Sequence, residues 1–174
     1  INSLKLNKND SGYSNLEENW SPVIRIPVTA RIPENYIKDS ALRLSFYRRL
    51  SNFESQLQLE SLLAELIDRF GKIPKDVINL ANILKIKEKC KLLEIESLEV
   101  GSKGITFKFR EGKVENISGL LAFIESDKSN IKPSNEKLFI KRNKGNSLNF
   151  SYNVLKNMEK FLKKEAPSKE GASY

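Results

Sequence analysis

Glu65, Asp68 and Arg69 fall at i, i+3 and i+4 in the run from Leu59 to Phe70, the spacing that gathers side chains on one face of a helix. Two carboxylates and a guanidinium so placed can pair with each other or with a partner. Glu65 precedes Arg69 in the favourable order for an intrahelical ion pair contributing about 0.3 to 0.5 kcal/mol. General acid–base chemistry would instead need one carboxyl held in an apolar pocket. Glu65 with Asp68, Glu17 with Glu18, and the group Glu94, Glu96 and Glu99 all read as exposed charge. Arg48 and Arg49 follow Phe46 and Tyr47. Adjacent helical residues point about 100° apart, so at most one guanidinium shares the buried side and the other is open to a partner. A contact with the helix C-terminal dipole is the alternative for both.

Other chemistries are excluded by residue type. The chain has no His and one Cys, which rules out Ser-His-Asp and Cys-His nucleophiles, imidazole and thiolate metal sites, and a disulfide framework. Carboxylates could still take Mg²⁺ or Ca²⁺, but no metal, cofactor or catalytic group is expected. Cys90 sits among apolar helical positions and reads as a small core residue. Gly101-Ser102-Lys103-Gly104 lacks the spacing and trailing Lys-Ser/Thr of a phosphate loop.

Of 174 residues, 30 are Lys or Arg and 22 Asp or Glu, a net charge of +8. The excess lies from residue 101 onward, with 15 basic and 8 acidic side chains. A clustered positive face would attract phosphate backbones. The candidates for that reading are Lys137, Lys141, Arg142, Lys144, Lys156, Lys160, Lys163 and Lys164. Phe107, Lys108, Phe109 and Arg110 could form a stacking platform if the aromatics faced outward, although alternation favours them as core. No apolar run approaches the roughly 20 residues of a membrane-spanning helix. A single free thiol suits a reducing, cytoplasmic setting, and the start at Ile1 suggests a segment of a longer chain.

These groups need elements to position them. Residues 1–20 have no apolar period and read as a linker, and residues 166–174 as a frayed tail; 21–165 form the compact part, mainly helical to residue 95. Ile24, Ile26 and Val28 alternate in an edge strand containing Pro27. Asp39 or Ser40 caps a helix to about Asn52 with Leu42, Phe46 and Leu50 inside. A second helix runs from Glu54 or Ser55 to Phe70, ended by Gly71 in the αL conformation. At roughly 100° per residue, Leu59, Leu62, Leu63, Leu66, Ile67 and Phe70 span about 140° of arc, opposite the Glu65, Asp68 and Arg69 flank. Pro74 takes the first position of a third helix to about Leu93, whose drifting apolar stripe implies neighbours on several sides. A hairpin follows, with Leu98 and Val100 against Ile105, Phe107 and Phe109. Then come a short helix capped by Asn116 or Ser118, a strand at Lys137–Arg142, and a last helix from about Ser151 to Lys164. The expected class is α+β: three helices, then a small antiparallel sheet with two more.

Three blocks carry a resemblance: Ile32-Pro33-Glu34-Asn35-Tyr36-Ile37-Lys38-Asp39, Arg43-Leu44-Ser45-Phe46-Tyr47-Arg48-Arg49-Leu50, and Glu65-Leu66-Ile67-Asp68-Arg69-Phe70-Gly71-Lys72-Ile73-Pro74. In this order they resemble the C-terminal domain of the bacterial transcription-repair coupling factors, the Mfd or TRCF family. The resemblance runs from about Trp20 to Leu162 and is strongest to Ile95. Glu94 stands where the family often has a helix-ending Gly. The family comprises ATP-driven DNA translocases that displace stalled RNA polymerase and recruit UvrA. The resemblance therefore implies ATP and Mg²⁺ for the parent motor only, none of which this segment would hold. It also implies a regulatory, autoinhibitory domain docking on the parent's own UvrB-like N-terminal region in competition with UvrA. The docking residues it implies are Glu65, Asp68 and Arg69, with Arg48 and Arg49 added from the helix pattern. The isolated domain is expected to be a monomer, and reversing all three charges to leave the fold intact.

Overall fold

The computed structural model describes residues 19–163. Most of the expected linker, the expected tail, Glu17, Glu18 and Lys164 lie outside these residues.

Capping explains where the helices begin. The Asp39 carboxylate accepts the Leu42 N–H at 2.7 Å and starts α1 (Ser40–Ser51), and the Ser55 hydroxyl accepts the Gln58 N–H at the start of α2 (Gln56–Phe70). α3 (Lys75–Leu92) follows Pro74, which stands one residue outside the helix in extended conformation, not at its first position as expected. Gly71 ends α2, but at φ 84°, ψ −158°. That is not the αL geometry expected; it is a region essentially restricted to glycine.

Five strands form one sheet: β1 (Val23–Arg25), β2 (Ile95–Val100), β3 (Gly104–Phe109), β4 (Ile131–Ser134) and β5 (Lys137–Lys141), in the order β1-β2-β3-β5-β4. β1 lies parallel to β2 and the other pairs are antiparallel. The expected antiparallel sheet is therefore mixed, because its first strand returns from the far side of the three-helix segment. β1 is also shorter than expected, although Ile26 and Val28 still pack on the core. α4 (Ile117–Ser126), capped by Asn116, lies between β3 and β4. α5 (Ser147–Leu162) starts four residues before the expected Ser151, because Asn146 Oδ1 accepts the Leu148 and Asn149 N–H groups and Leu148 is buried. With five helices and five strands among the described residues, the α+β class stands.

Two apolar clusters share α3. One holds the inner side chains of the sheet with α4, α5, Ile86 and the fully buried Cys90; that burial pushes the Cys90 thiol up to about 12. Phe107 and Phe109 belong to this core, so they are not an exposed stacking platform. The other gathers Ile32, Ile37, Phe46, Leu50, Leu59, Leu62, Leu66 and Val77. The drifting stripe of α3 is thus a helix read from two sides. Where α3 ends, Glu94 adopts φ 57°, which costs a non-glycine residue about 1–2 kcal/mol. Arg110 offsets that strain: its backbone N–H reaches the Glu94 carbonyl at 2.8 Å, its guanidinium the carboxylate at 2.7 Å, and Trp20 covers the guanidinium at 4.3 Å.

Candidate functional site

The three sequence blocks meet in the helical cluster. The Tyr36 hydroxyl lies 3.0 Å from both the Leu66 and Gly71 carbonyls, Arg43 donates to the Ile37 carbonyl, and the Tyr47 oxygen accepts the Ile32 N–H at 2.6 Å. Phe46 sits fully buried at the centre, edge-on to Phe70 at 5.8 Å. Its ring carries two cations, with Arg49 at 5.0 Å and Arg69 at 5.4 Å from the centroid.

Both guanidiniums close on Glu65. Arg49, from α1, donates to its two oxygens at 2.9 and 2.5 Å, and Arg69, one turn along α2, at 3.0 Å. The Arg69 contact is the intrahelical pair expected from spacing. The Arg49 contact is an interhelical clamp that a single-helix wheel cannot show. Asp68 and Arg48 are exposed, and among the described residues neither side chain has a hydrogen-bond or ion-pair partner. Arg48, Arg49, Asn52, Gln58, Ser61, Leu62 and Glu65 line a shallow groove of about 400 Å³ between α1 and α2. Ile67 is 53% exposed rather than buried as the wheel suggested, since it stands at the edge of the apolar arc away from the groove. The groove can present directed N–H donors and one carboxylate to another protein surface. Nothing in it activates a nucleophile.

Hydrogen bonding by Arg49 is the largest cause that holds the Glu65 carboxyl down at about 2, against an ordinary 4.5. The folded value lies below the unfolded one, so the bridge stabilises fully above pH 4.5 and its contribution is lost as pH falls toward 2. With the Glu65 side chain 31% exposed, solvent screening limits the contribution to about 1 kcal/mol. Glu65→Gln therefore lowers urea-unfolding stability by about that amount at pH 7, with a difference that vanishes near pH 2. A gap that persists unchanged into acid would contradict the bridge.

The basic residues considered for nucleic acid divide between places. Lys137 and Lys141 lie at opposite ends of β5. Arg142 bonds Ser147 Oγ, with its Nε buried and unpartnered. Lys144 lines a groove with Asp127 and Asn146, and Lys156, Lys160 and Lys163 lie on or just after α5. As a set they do not form one patch, although Lys137 and Lys141 share one face of β5. Glu94 and Glu96, read as exposed carboxylates, are engaged by Arg110 and Lys108. Among the described residues no cluster of three metal-ligating side chains occurs, and no helix is long and apolar enough to cross a membrane.

Comparison with known proteins agrees with the three blocks. A family model described as the TRCF domain matches residues 26–120. The transcription-repair-coupling factor of Rickettsia bellii is 37% identical over 134 residues, covering 76% of this chain and 12% of that protein. The Escherichia coli transcription-repair-coupling factor is 29% identical over 125 residues, covering 72% of this chain and 11% of the relative. The chain thus spans about one eighth of the length of these relatives. A crystal structure of the C-terminal domain of a transcription-repair coupling factor superposes with a TM-score of 0.68 at 20% identity, covering 82% of this chain and 92% of that one, a likeness of fold. Because the family match takes in more than half of the sequence, including all three blocks around Phe46, the chain belongs to the TRCF-domain family.

Proposed function

We propose that this domain is an autoinhibitory module that docks through Arg48, Arg49, Glu65, Asp68 and Arg69 on the UvrB-like N-terminal region of its parent, covering the surface that UvrA would use. The parent, in this reading, is a cytoplasmic ATP- and Mg²⁺-dependent DNA translocase that displaces stalled RNA polymerase. The supporting observation is the Arg49–Glu65–Arg69 clamp. Glu65 orients two guanidiniums over Phe46, so their remaining donors lose little freedom on meeting a partner. Asp68 and Arg48 flank them with opposite charges, which sets the register of a docked surface. A reversible lock needs a coupling of only about 1–3 kcal/mol, within reach of a few such pairs.

Reversing Glu65 along with Asp68 and Arg69 would also break the α1–α2 clamp, so a loss of binding in that triple variant would mix docking with a stability loss of about 1 kcal/mol. Asp68→Arg combined with Arg48→Glu leaves the clamp in place. In binding assays with the separately produced N-terminal region, this double variant loses about tenfold or more in affinity, equivalent to roughly 1.4 kcal/mol. It also fails to compete with UvrA for that region. Undiminished binding and competition would remove this ridge from the interface.

A further inference from the structure

We infer that the outer face of the sheet, away from the docking ridge, binds single-stranded nucleic acid, with Phe139 stacking on a base and Lys132, Lys137 and Lys141 holding phosphates. α3, α4 and α5 share a core with the inner side chains of the strands, leaving the outer face uncovered by the described helices. Alternation places Lys137, Phe139 and Lys141 on that face of β5, since Leu138 and Ile140 between them are buried. Register sets Lys132 of β4 directly beside Phe139, and Thr106 of β3 on its other side. Lys137 and Lys141 then flank the ring about 13 Å apart at the usual strand rise.

Charge selects the occupant. The outward positions of β3, β4 and β5, the strands around Phe139, hold no acidic side chain, while Glu96 and Glu99 of β2 lie on the same face one strand beyond Thr106. Lys108, also outward, is taken by Glu96 at 3.3 Å; Lys132, Lys137 and Lys141 have no ion-pair partner among the described residues. Three uncompensated ammonium groups around one half-buried aromatic ring call for a partner that is both anionic and flat. A nucleotide strand supplies phosphates and π-faces together. A polypeptide rich in carboxylates would leave Phe139 unused, and a duplex hides its base faces. The end of the Phe139 ring lies over Gly104, where an added Cβ would come within 2.6 Å of it, so the ring is fixed across the sheet and little order is lost on stacking.

Fluorescence anisotropy of the whole 174-residue chain with a labelled oligothymidylate of about 20 nucleotides tests this. For three phosphate contacts, affinity falls roughly 20-fold between about 50 and 200 mM salt. Phe139→Leu, which keeps an apolar cover on Gly104, loses about fivefold or more. Combined Lys132→Gln, Lys137→Gln and Lys141→Gln loses more than tenfold, whereas Lys156→Gln with Lys160→Gln on α5 changes nothing. Circular dichroism verifies that each variant is folded, and the single Phe139→Leu change stands as the test should the triple variant not fold. No retention at low salt, equal binding of a duplex or of polyglutamate, or full affinity in folded Phe139→Leu each overturns the assignment. Because Phe139 lies outside the docking ridge, Phe139→Leu leaves binding to the N-terminal region unchanged, so the two readings fail separately.

Discussion

Phe46→Ala lowers the unfolding free energy by about 3–5 kcal/mol, the usual cost of emptying a fully buried aromatic site. The ring is completely buried, meets Phe70 edge-on, and underlies both Arg49 and Arg69. Its loss opens a cavity among Leu50, Leu59 and Leu66 and removes the surface on which the clamp is stacked. The effect concentrates in α1 and α2, because the sheet cluster is a separate apolar core joined to them through α3. Hydrogen exchange should therefore show protection lost first across residues 40–70, with β2 and β3 still protected under the same conditions. Phe46→Leu retains most of the volume and costs about 1–2 kcal/mol. Similar small losses for both variants, or a uniform loss of protection, would contradict a Phe46-centred core.

Gly104→Ala is expected to cost about 3 kcal/mol, at the upper end for an overpacked site. A Cβ at this position would meet the Ile140 carbonyl oxygen at 2.3 Å and two Phe139 ring carbons at 2.6 and 2.7 Å. The side chain can rotate away, but the carbonyl belongs to β5 and moves only if the β3–β5 ladder moves. Pairing Gly104→Ala with Phe139→Ala relieves the ring clash and leaves the backbone clash, so the double variant recovers only part of the loss. Thermal unfolding followed by far-ultraviolet circular dichroism measures both. Full recovery in the double variant would show that the ring alone demands glycine there.

What was legible in the sequence was local. The Asp39 and Ser55 caps, the stop at Gly71 and the apolar arc of α2 follow from neighbours within a turn or two, where helical periodicity carries the information. The β2–β3 hairpin was equally plain, since its strands alternate cleanly and the connection is short. β4 escaped notice because Ile131 is its one buried side chain and Lys132, Pro133 and Ser134 are exposed on an edge strand, which leaves no period to read. The register of β1 beside β2 was hidden too, as the two strands are about 70 residues apart in the chain and a three-residue strand specifies no partner by pattern.

The candidate site divides the same way. Sequence alone determined that Glu65, Asp68 and Arg69 share a helix face and that the chain has no imidazole and a single thiol, because residue type and 3.6-residue spacing are properties of the chain itself. Tertiary structure decided that Glu65 is gripped by Arg49 from 16 residues away, that Ile67 faces water, and that Lys132, Phe139 and Lys141 share one open sheet face. Such pairings depend on where separate elements pack, and packing is set by the summed burial of many side chains that no local pattern encodes.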